Sequence, residues 1–348
     1  MLMPSSKTEA RKKEHIELCL TDNVKFQTKT NGFENYEFEH FAVTEIRLDE
    51  INLTTKFFGK KINLPFLISC MTGGTSEAEK INERLATAAC ELNIPIGVGS
   101  QRQALEGKKH HSTYRVVRKN AGTVPVLGNI GAAQVAHSKN IVDEIRFLID
   151  LIEADAMVIH INPLQELLQK EGEPDFGGLL KNIEKLSGKI RTPLIAKEVS
   201  SGISKSAAEK LLDAGIKGID IAGAGGTSWA AVELIRKNAD NEIFREWGIP
   251  TSYCLRTVSE LKKNYKFTLI ASGGIGNGLE IAKSIALGAD LTASARPILQ
   301  QVMNHDVDGV IKLINSWFET VKHVMFLTGS RNIRQLKNVR LIRKSEFY

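Results

Sequence analysis

Several features that would fix a function at once are scarce or missing in this 348-residue chain. Its four cysteines, Cys19, Cys70, Cys90 and Cys254, show no Cys-x-x-Cys spacing, so neither a disulfide framework nor a thiolate zinc site organises it. No apolar run approaches the roughly 20 residues needed to span a bilayer, and no membrane partner is expected. The polar stretch Met1–Lys13 lacks an apolar signal core, which makes a cytoplasmic location the expectation. Lys and Arg exceed Asp and Glu by 46 to 40, a net charge of +6. The basic groups at Arg11–Lys13, Lys108–Lys109 and Arg331–Lys344 are not interleaved with aromatics, so nucleic acid is not an expected partner. The glycine fingerprint with a following acid that marks a dinucleotide site is also absent.

What the chain does have is a rhythm. Residues 1–63 are polar and mixed. From Leu64 onward short apolar runs recur, each closed by Gly, Ser, Asn or Pro and followed by a helical pattern. The runs are Leu64–Cys70, Ile94–Val98, Val124–Leu127, Ala156–Ile161, Pro193–Val199, Gly218–Ala222, Thr268–Ala271 and Leu291–Ala293. Helical stretches separate them, such as Ser76–Leu92, Ile141–Ala154, Leu179–Leu186, Ser204–Ala214 and Leu279–Leu287. Alternating strand and helix implies a parallel sheet with right-handed crossovers. Eight units predict an α/β fold, a (β/α)8 TIM barrel over 64–348, with an N-terminal extension at 1–63 and a C-terminal helical tail; a doubly wound open sheet is the alternative. The segment Gly226–Thr268 is long for a connection and predicts its own helix at Leu255–Lys263. Asp306–Phe326 predicts the last helix, and the basic tail after Ser330 reads as a lid or a solvated end.

A barrel of this kind carries its active site past the C-terminal ends of the strands. The seventh run passes into Ser272-Gly273-Gly274-Ile275-Gly276-Asn277-Gly278 and then a helix, which is either a tight turn or a phosphate cradle. The sixth ends in a second glycine cluster with Thr227, and the eighth in Ala295-Arg296. Three adjacent tips of this kind suit the phosphate of a mononucleotide cofactor. Lys197, ending the fifth run, would either face a flavin's N1–C2 edge or pair with a carboxylate such as Glu198. Ser100, Arg102, Arg11, Lys12 and His15 supply donors of the type a diphosphate takes, although Arg11–Lys13 also reads as a solvated charge run. Glu166 beside Gln165 is a single carboxylate, suited to a Mg²⁺ ion that keeps its waters and substrate oxygens. His160 reads as a ligand, a donor or a structural histidine.

Taken together, these motifs resemble the flavin-dependent type 2 isopentenyl-diphosphate isomerases. The likeness runs from Arg11 to about Arg334. It rests on Arg-Lys-x-x-His at 11–15, Met-Thr-Gly-Gly at 71–74, Gly-Ser-Gln-Arg at 99–102, Gly-Asn at 128–129 and His-x-Asn-x-x-Gln-Glu at 160–166. It continues through Lys-Glu-Val at 197–199, Ala-Gly-x-Gly-Gly-Thr-Ser-Trp at 222–229, Trp-Gly-Ile-Pro-Thr at 247–251 and Ser-Gly-Gly-Ile at 272–275. The resemblance implies FMN held by Cys70, Met71, Thr72, Ser100, Asn129, Lys197, Thr227, Gly273, Gly274 and Gly276, with Ala295 and Arg296 at the phosphate end. It implies isopentenyl or dimethylallyl diphosphate held by Arg11, Lys12, His15, Ser100 and Arg102. His160, Asn162 and Gln165 would line the substrate pocket, with His160 and Gln165 catalytic and Glu166 on Mg²⁺. It further implies a redox-neutral shift of a double bond on reduced FMN, NAD(P)H as the initial reductant, and a homo-oligomer, tetramer or octamer. Many members carry Arg where this chain has Gly276, so either the phosphate clamp is looser here or Arg296 compensates.

An FMN-dependent 2-hydroxy-acid dehydrogenase or oxidase shares these phosphate turns. That family resembles this chain less at the sixth tip, where a His-Gly-Gly-Arg base and clamp is replaced by Ala222-Gly223-Ala224-Gly225-Gly226-Thr227, with no base.

Overall fold

The computed structural model describes residues 7–239 and 242–347. The eight apolar runs close into a parallel barrel in chain order. Its strands are β1 (Phe66–Ile68), β2 (Ile96–Gly97), β3 (Val126–Gly131), β4 (Ala156–Ile161), β5 (Leu194–Glu198), β6 (Gly218–Asp220), β7 (Thr268–Ala271) and β8 (Leu291–Ser294). Closure is made by β8 on β1, Thr292 pairing with Phe66 and Ser294 with Ile68, which rules out the open sheet. Strands buried on both faces read as continuous apolar runs, which is why the pattern was strong. Leu67, Leu127, Val158, Ile195, Ile270 and Ala293 fill the interior. Phe57 and Ile62, from an antiparallel hairpin (Thr55–Phe57 with Lys60–Ile62), join the same cluster. The hairpin plugs the strands' N-terminal end: Lys60 pairs with Asp155 just before β4 at 2.6 Å. The opposite mouth is left for chemistry.

The observed elements depart from the sequence expectation in four places. Strand β2 is only Ile96–Gly97, because the run includes Pro95, which has no N–H, and Gly97 lies where a Cβ would come 2.3 Å from Cys70 Sγ. Strand β3 starts later and runs to Gly131, taking Gly128 and Asn129 into the sheet, where Asn129 pairs with Val158. The long connection after β6 holds a helix at Trp229–Arg236 as well as Thr251–Ser259, the latter continuing as a 3-10 turn at Glu260–Lys263. The helix expected to be last begins at Arg296 and runs to Leu327, broken at Asp306 (φ 58°), whose carboxylate caps the second segment by accepting Val307 N–H at 2.8 Å, and a short helix at Ile333–Leu336 follows it.

The tail is neither lid nor solvated end. Leu341–Arg343 forms an antiparallel pair with Tyr36–Phe38 of the N-terminal extension. That extension opens with the helix Lys7–Leu20 and continues as a strap over the barrel mouth. Phe26 N–H donates to Gly226 O at 3.1 Å and Ser228 N–H to Val24 O at 2.7 Å, so the strap adds to the tip of β6. Among the described residues no helix is long and apolar enough to cross a membrane.

Candidate active site

Every residue that the resemblance assigns to cofactor, substrate, metal or catalysis lines one cavity of about 560 Å³ at the C-terminal mouth. Two shallower surface depressions, 690 Å³ each, contain none of them. The cavity has a backbone-lined side, a cationic roof and a polar wall.

Glycine makes the backbone-lined side. Gly273 and Gly274 adopt φ of 99° and 74°, which side chains rarely tolerate. The tips of β6 and β7 touch backbone to backbone: a Cβ on Gly274 would lie 2.7 Å from the Gly225 carbonyl carbon, and one on Gly226 would lie 2.6 Å from Gly274 N. No side chain intrudes, so this side presents peptide groups, followed at once by the Asn277-capped start of helix Gly278–Ala286. That is a fitting cradle for a phosphate. Gly276 differs, because a Cβ there would meet only Glu280 Oε2 at 3.9 Å. Its N–H is taken by Glu280 Oε2 at 2.7 Å, while Glu280 Oε1 receives Asn31 Nδ2 at 2.8 Å. Arg296 lines the same cavity but is engaged elsewhere. Its guanidinium donates to Cys19 O at 2.9 Å, Thr21 O at 2.7 Å and the Asp22 carboxylate, and so clips the strap to β8.

The roof is the helix Lys7–Leu20. Arg11, Lys12 and His15 face inward, whereas Lys13 is exposed and pairs with Glu17. Lys12 Nζ donates to Gly73 O at 2.6 Å, Ser100 O at 3.3 Å and Tyr114 Oη at 3.1 Å. The close approach requires Gly74, on which a Cβ would come 2.6 Å from Lys12 Nζ. Burial, with Arg11 beside it, pushes the Lys12 ammonium down to about 7. Arg102 pairs with Glu173 at 2.8 Å and Glu106 at 3.4 Å. His15 Nε2–H donates to Glu233 Oε1 at 2.9 Å, with its ring edge-on to Trp229.

The wall is a chain of amides, carboxylates and one histidine from β3, β4, the short helix Pro163–Leu168 that follows β4, and the helix Trp229–Arg236. Asn129 Nδ2 donates to Val98 O at 3.2 Å, and since that carbonyl can only accept, Asn129 Oδ1 must face His160 Nδ1, 2.8 Å away. His160 therefore carries its proton on Nδ1 and keeps Nε2 as an acceptor. Burial, with Lys197 and Lys12 near, pushes its pKa down to about 4, so it is neutral at pH 7. Gln165 Nε2 donates to Glu233 Oε1 at 3.2 Å, and its Oε1 accepts from Asn162 Nδ2 at 3.0 Å. Asn162 Nδ2 also reaches Glu166 Oε1 at 3.1 Å, and Glu166 Oε2 accepts Glu173 N–H at 2.8 Å. Asn162 Oδ1 is buried without a partner.

Glu166 lines the cavity, and the lone pairs its carboxylate keeps beyond Asn162 Nδ2 and Glu173 N–H fit a hydrated Mg²⁺ completed by ligand oxygens. Among the described residues no three His, Cys, Asp or Glu groups converge to hold a metal unaided. The donor set for a mononucleotide also fits, with glycine backbone at one end and the Lys197 cation on the floor. Lys197 pairs with Asp220 at 3.1 Å and not with Glu198, whose Oε2 instead gathers the N–H groups of Val199, Ser200, Ser201 and Gly202 at 2.5 to 3.1 Å.

A model of the FMN-dependent dehydrogenase family matches residues 5–114 and 153–343. The isopentenyl-diphosphate delta-isomerase of Pelodictyon phaeoclathratiforme is 46% identical, over 98% of this chain and 98% of its own. That of Pyrococcus furiosus is 44% identical, over 97% of this chain and 87% of its own. The chain belongs to the isopentenyl-diphosphate delta-isomerase family. A flavocytochrome b2 variant with pyruvate bound superposes with a TM-score of 0.69 at 17% identity, over 95% of this chain and 82% of its own. A mandelate oxidase variant with benzaldehyde gives 0.66 at 15%, over 96% and 97%. These two share the barrel fold with the isomerase family.

Sequence reasoning missed three contributors. Glu233 is fully buried, and burial pushes its carboxyl up, but bonds from His15, Gln165 and Arg236 outweigh this and hold it below the usual range. The signal was its place four residues after Trp229, on one helix face. Asp220 interrupts an apolar strand, itself a signal. Tyr114, whose hydroxyl donates to Ser100 O at 2.7 Å while receiving Lys12, gave none, because its helix is remote in sequence.

Proposed function

We propose that this protein interconverts isopentenyl diphosphate and dimethylallyl diphosphate, without net redox change, on reduced FMN in the barrel mouth. The observation that carries this is the inward face of helix Lys7–Leu20: Arg11 and Lys12 bring basic groups, and His15 a ring whose charge burial disfavours, over the same cavity that holds Glu166 and Gln165. A flavin enzyme for small hydroxy acids has no need of a cationic roof of that reach, and the β6 tip offers no histidine base.

When bound, reduced FMN supplies an electron-rich surface and a nitrogen that carries a proton. Its phosphate is assigned to the peptide groups around Gly273, Gly274, Gly276 and Ala295, with Arg296 holding the strap behind them. Its ring is assigned to Cys70, Met71, Thr72, Ser100, Asn129, Lys197 and Thr227. Arg11, Lys12, His15, Ser100 and Arg102 take the diphosphate, and Glu166 takes a Mg²⁺ shared with it.

The chain's own residues then orient the alkene and keep its protons in place. An alkene is a very weak base, so the cation-like centre formed by protonation needs a dry site. Neutral His160 adds no positive charge there and offers a lone pair at Nε2. Gln165 is a poor base, but its amide is held between Asn162 and Glu233, so its orientation is fixed toward the cavity and backed by a carboxylate. NAD(P)H is required only to reduce the flavin at the start. We assign the enzyme to the cytoplasm as a homo-oligomer, a tetramer or octamer, with 1–63 as the part that completes the substrate site.

The test is an anaerobic assay of isopentenyl diphosphate with FMN, Mg²⁺ and NADPH. Dimethylallyl diphosphate should form over many turnovers without matching NADPH consumption, and chelation of Mg²⁺ should stop it. Steady NADPH oxidation with no product, or flavin reduction by lactate, would overturn the reading.

A further inference from the structure

The cavity floor contains an ion pair that the proposed chemistry does not require. Lys197 on β5 and Asp220 on β6 are register partners in the sheet. Lys197 Nζ lies 3.1 Å from Asp220 Oδ2. The other carboxylate oxygen, Oδ1, accepts Ser272 Oγ–H at 2.5 Å, and Lys197 Nζ also reaches Ser272 Oγ at 3.4 Å. Lys197 and Ser272 line the cavity, whereas Asp220, 2% exposed, does not. It meets the lysine from outside the cavity lining.

A lysine buried alone tends to lose its proton, and an adjacent carboxylate keeps it charged. The same carboxylate also cancels part of the lysine's field. A cation with an anion 3.1 Å behind it acts on the cavity as a dipole, whose field falls with distance faster than that of a single charge. Ser272 adjusts the balance, since its hydroxyl draws carboxylate charge toward Oδ1 and away from Lys197. Both oxygens are thus committed, one to each partner, and among the described residues no second cation pairs with the carboxylate.

We propose that Asp220 is a positioning residue that limits the positive field Lys197 presents to the flavin and so holds down the flavin's reduction potential. This rests on the FMN reading above. Its use is consistent with a redox-neutral cycle: a strongly cationic floor would favour an anionic ring over one that carries its proton.

The experiment is anaerobic dye equilibration of the FMN-loaded protein, comparing the unmutated chain with Asp220→Asn and Ser272→Ala. Asp220→Asn keeps shape and removes the charge. It should favour binding of reduced over oxidised flavin by about tenfold, a positive shift of about 30 mV for a two-electron couple. Ser272→Ala should move the potential the other way by about threefold, or about 14 mV. A purely structural role would not give opposite signs. An unchanged potential in Asp220→Asn, or a more negative one from a lysine that had lost its proton, would overturn the proposal. Should Asp220→Asn not fold, Ser272→Ala decides alone, and a positive or absent shift sinks the idea. An unmutated protein that binds no FMN would instead overturn the cofactor reading.

Discussion

The two ends of the cavity present their donors by opposite means. At the β6 and β7 tips the donors are peptide groups, exposed because Gly225, Gly226, Gly273 and Gly274 leave no side chain in the way. At the other end the donors are side chains on a helix that lies outside the barrel: Arg11, Lys12 and His15. Peptide donors do not titrate and are fixed by the packing of two loops. Side-chain donors titrate and depend on how the helix is clipped to the barrel. The first end therefore suits a resident group and the second a ligand that comes and goes. Lys12 fastens the second end to the barrel, since its ammonium is bonded to the tips of β1 and β2 through Gly73 O and Ser100 O.

The largest effect expected from this contrast is at Gly274. An alanine there must hold φ near 74° and place a Cβ 2.7 Å from the Gly225 backbone. Strain and clash together cost about 3 kcal/mol, on the order of 100-fold in FMN retention. Gly276→Ala, with open space and ordinary φ, should retain FMN like the parent. Flavin absorbance per chain after gel filtration compares the two. Equal retention in both would show that the cradle is not shaped by backbone contact.

A second, smaller effect separates the ends by pH. Lys12 has a pKa pushed down to about 7 by burial, so between about 7 and its ordinary value of 10.5 it is neutral in the folded chain and charged in the unfolded one. The unfolded state binds the extra proton in that window, so thermal stability gains from this group as pH rises above 7. Diphosphate affinity moves the opposite way, because the cation is lost. We expect kcat/KM to fall about tenfold per pH unit above the Lys12 pKa, through KM, where the deprotonated form does not bind. Calorimetry in two buffers should show proton uptake on diphosphate binding at pH 8, while FMN retention stays constant. A flat KM over pH 6 to 9 would remove Lys12 as a titrating donor.

This same contrast explains what the sequence made legible. Glycines after apolar runs announce themselves, because backbone geometry is local, and the barrel and its β6 and β7 tips were readable from spacing alone. Contacts across long separations were not. Nothing local says that Lys197 turns to Asp220 rather than to its neighbour Glu198, whose carboxylate is absorbed by four peptide N–H groups of its own turn. Nothing local says that Arg296 reaches back to residues 19–22, or that the basic tail pairs with Tyr36–Phe38. The family resemblance carried the arm residues into the site, but it did not carry Glu233, which links His15 and Gln165.

The smallest effect tests how the arm is fastened. Arg296 holds the strap through two carbonyls, Cys19 O and Thr21 O, and through the exposed Asp22 carboxylate. Asp22 is kept below its ordinary range by Lys25 first and Arg296 second, so its contribution is present at neutral pH and fades as the carboxylate is protonated in acid. Exposed pairs of this kind are weak and salt-screened, whereas the two carbonyl bonds survive the loss of the charge. Asp22→Asn should therefore raise KM for the diphosphate about twofold or less, and only at low salt. Arg296→Gln removes all three anchors and should raise KM by clearly more at every salt concentration, with FMN still bound by peptide groups. If Arg296→Gln instead releases FMN and leaves KM unchanged, the guanidinium belongs to the cofactor end, and the division between a backbone end and a side-chain end does not hold at β8.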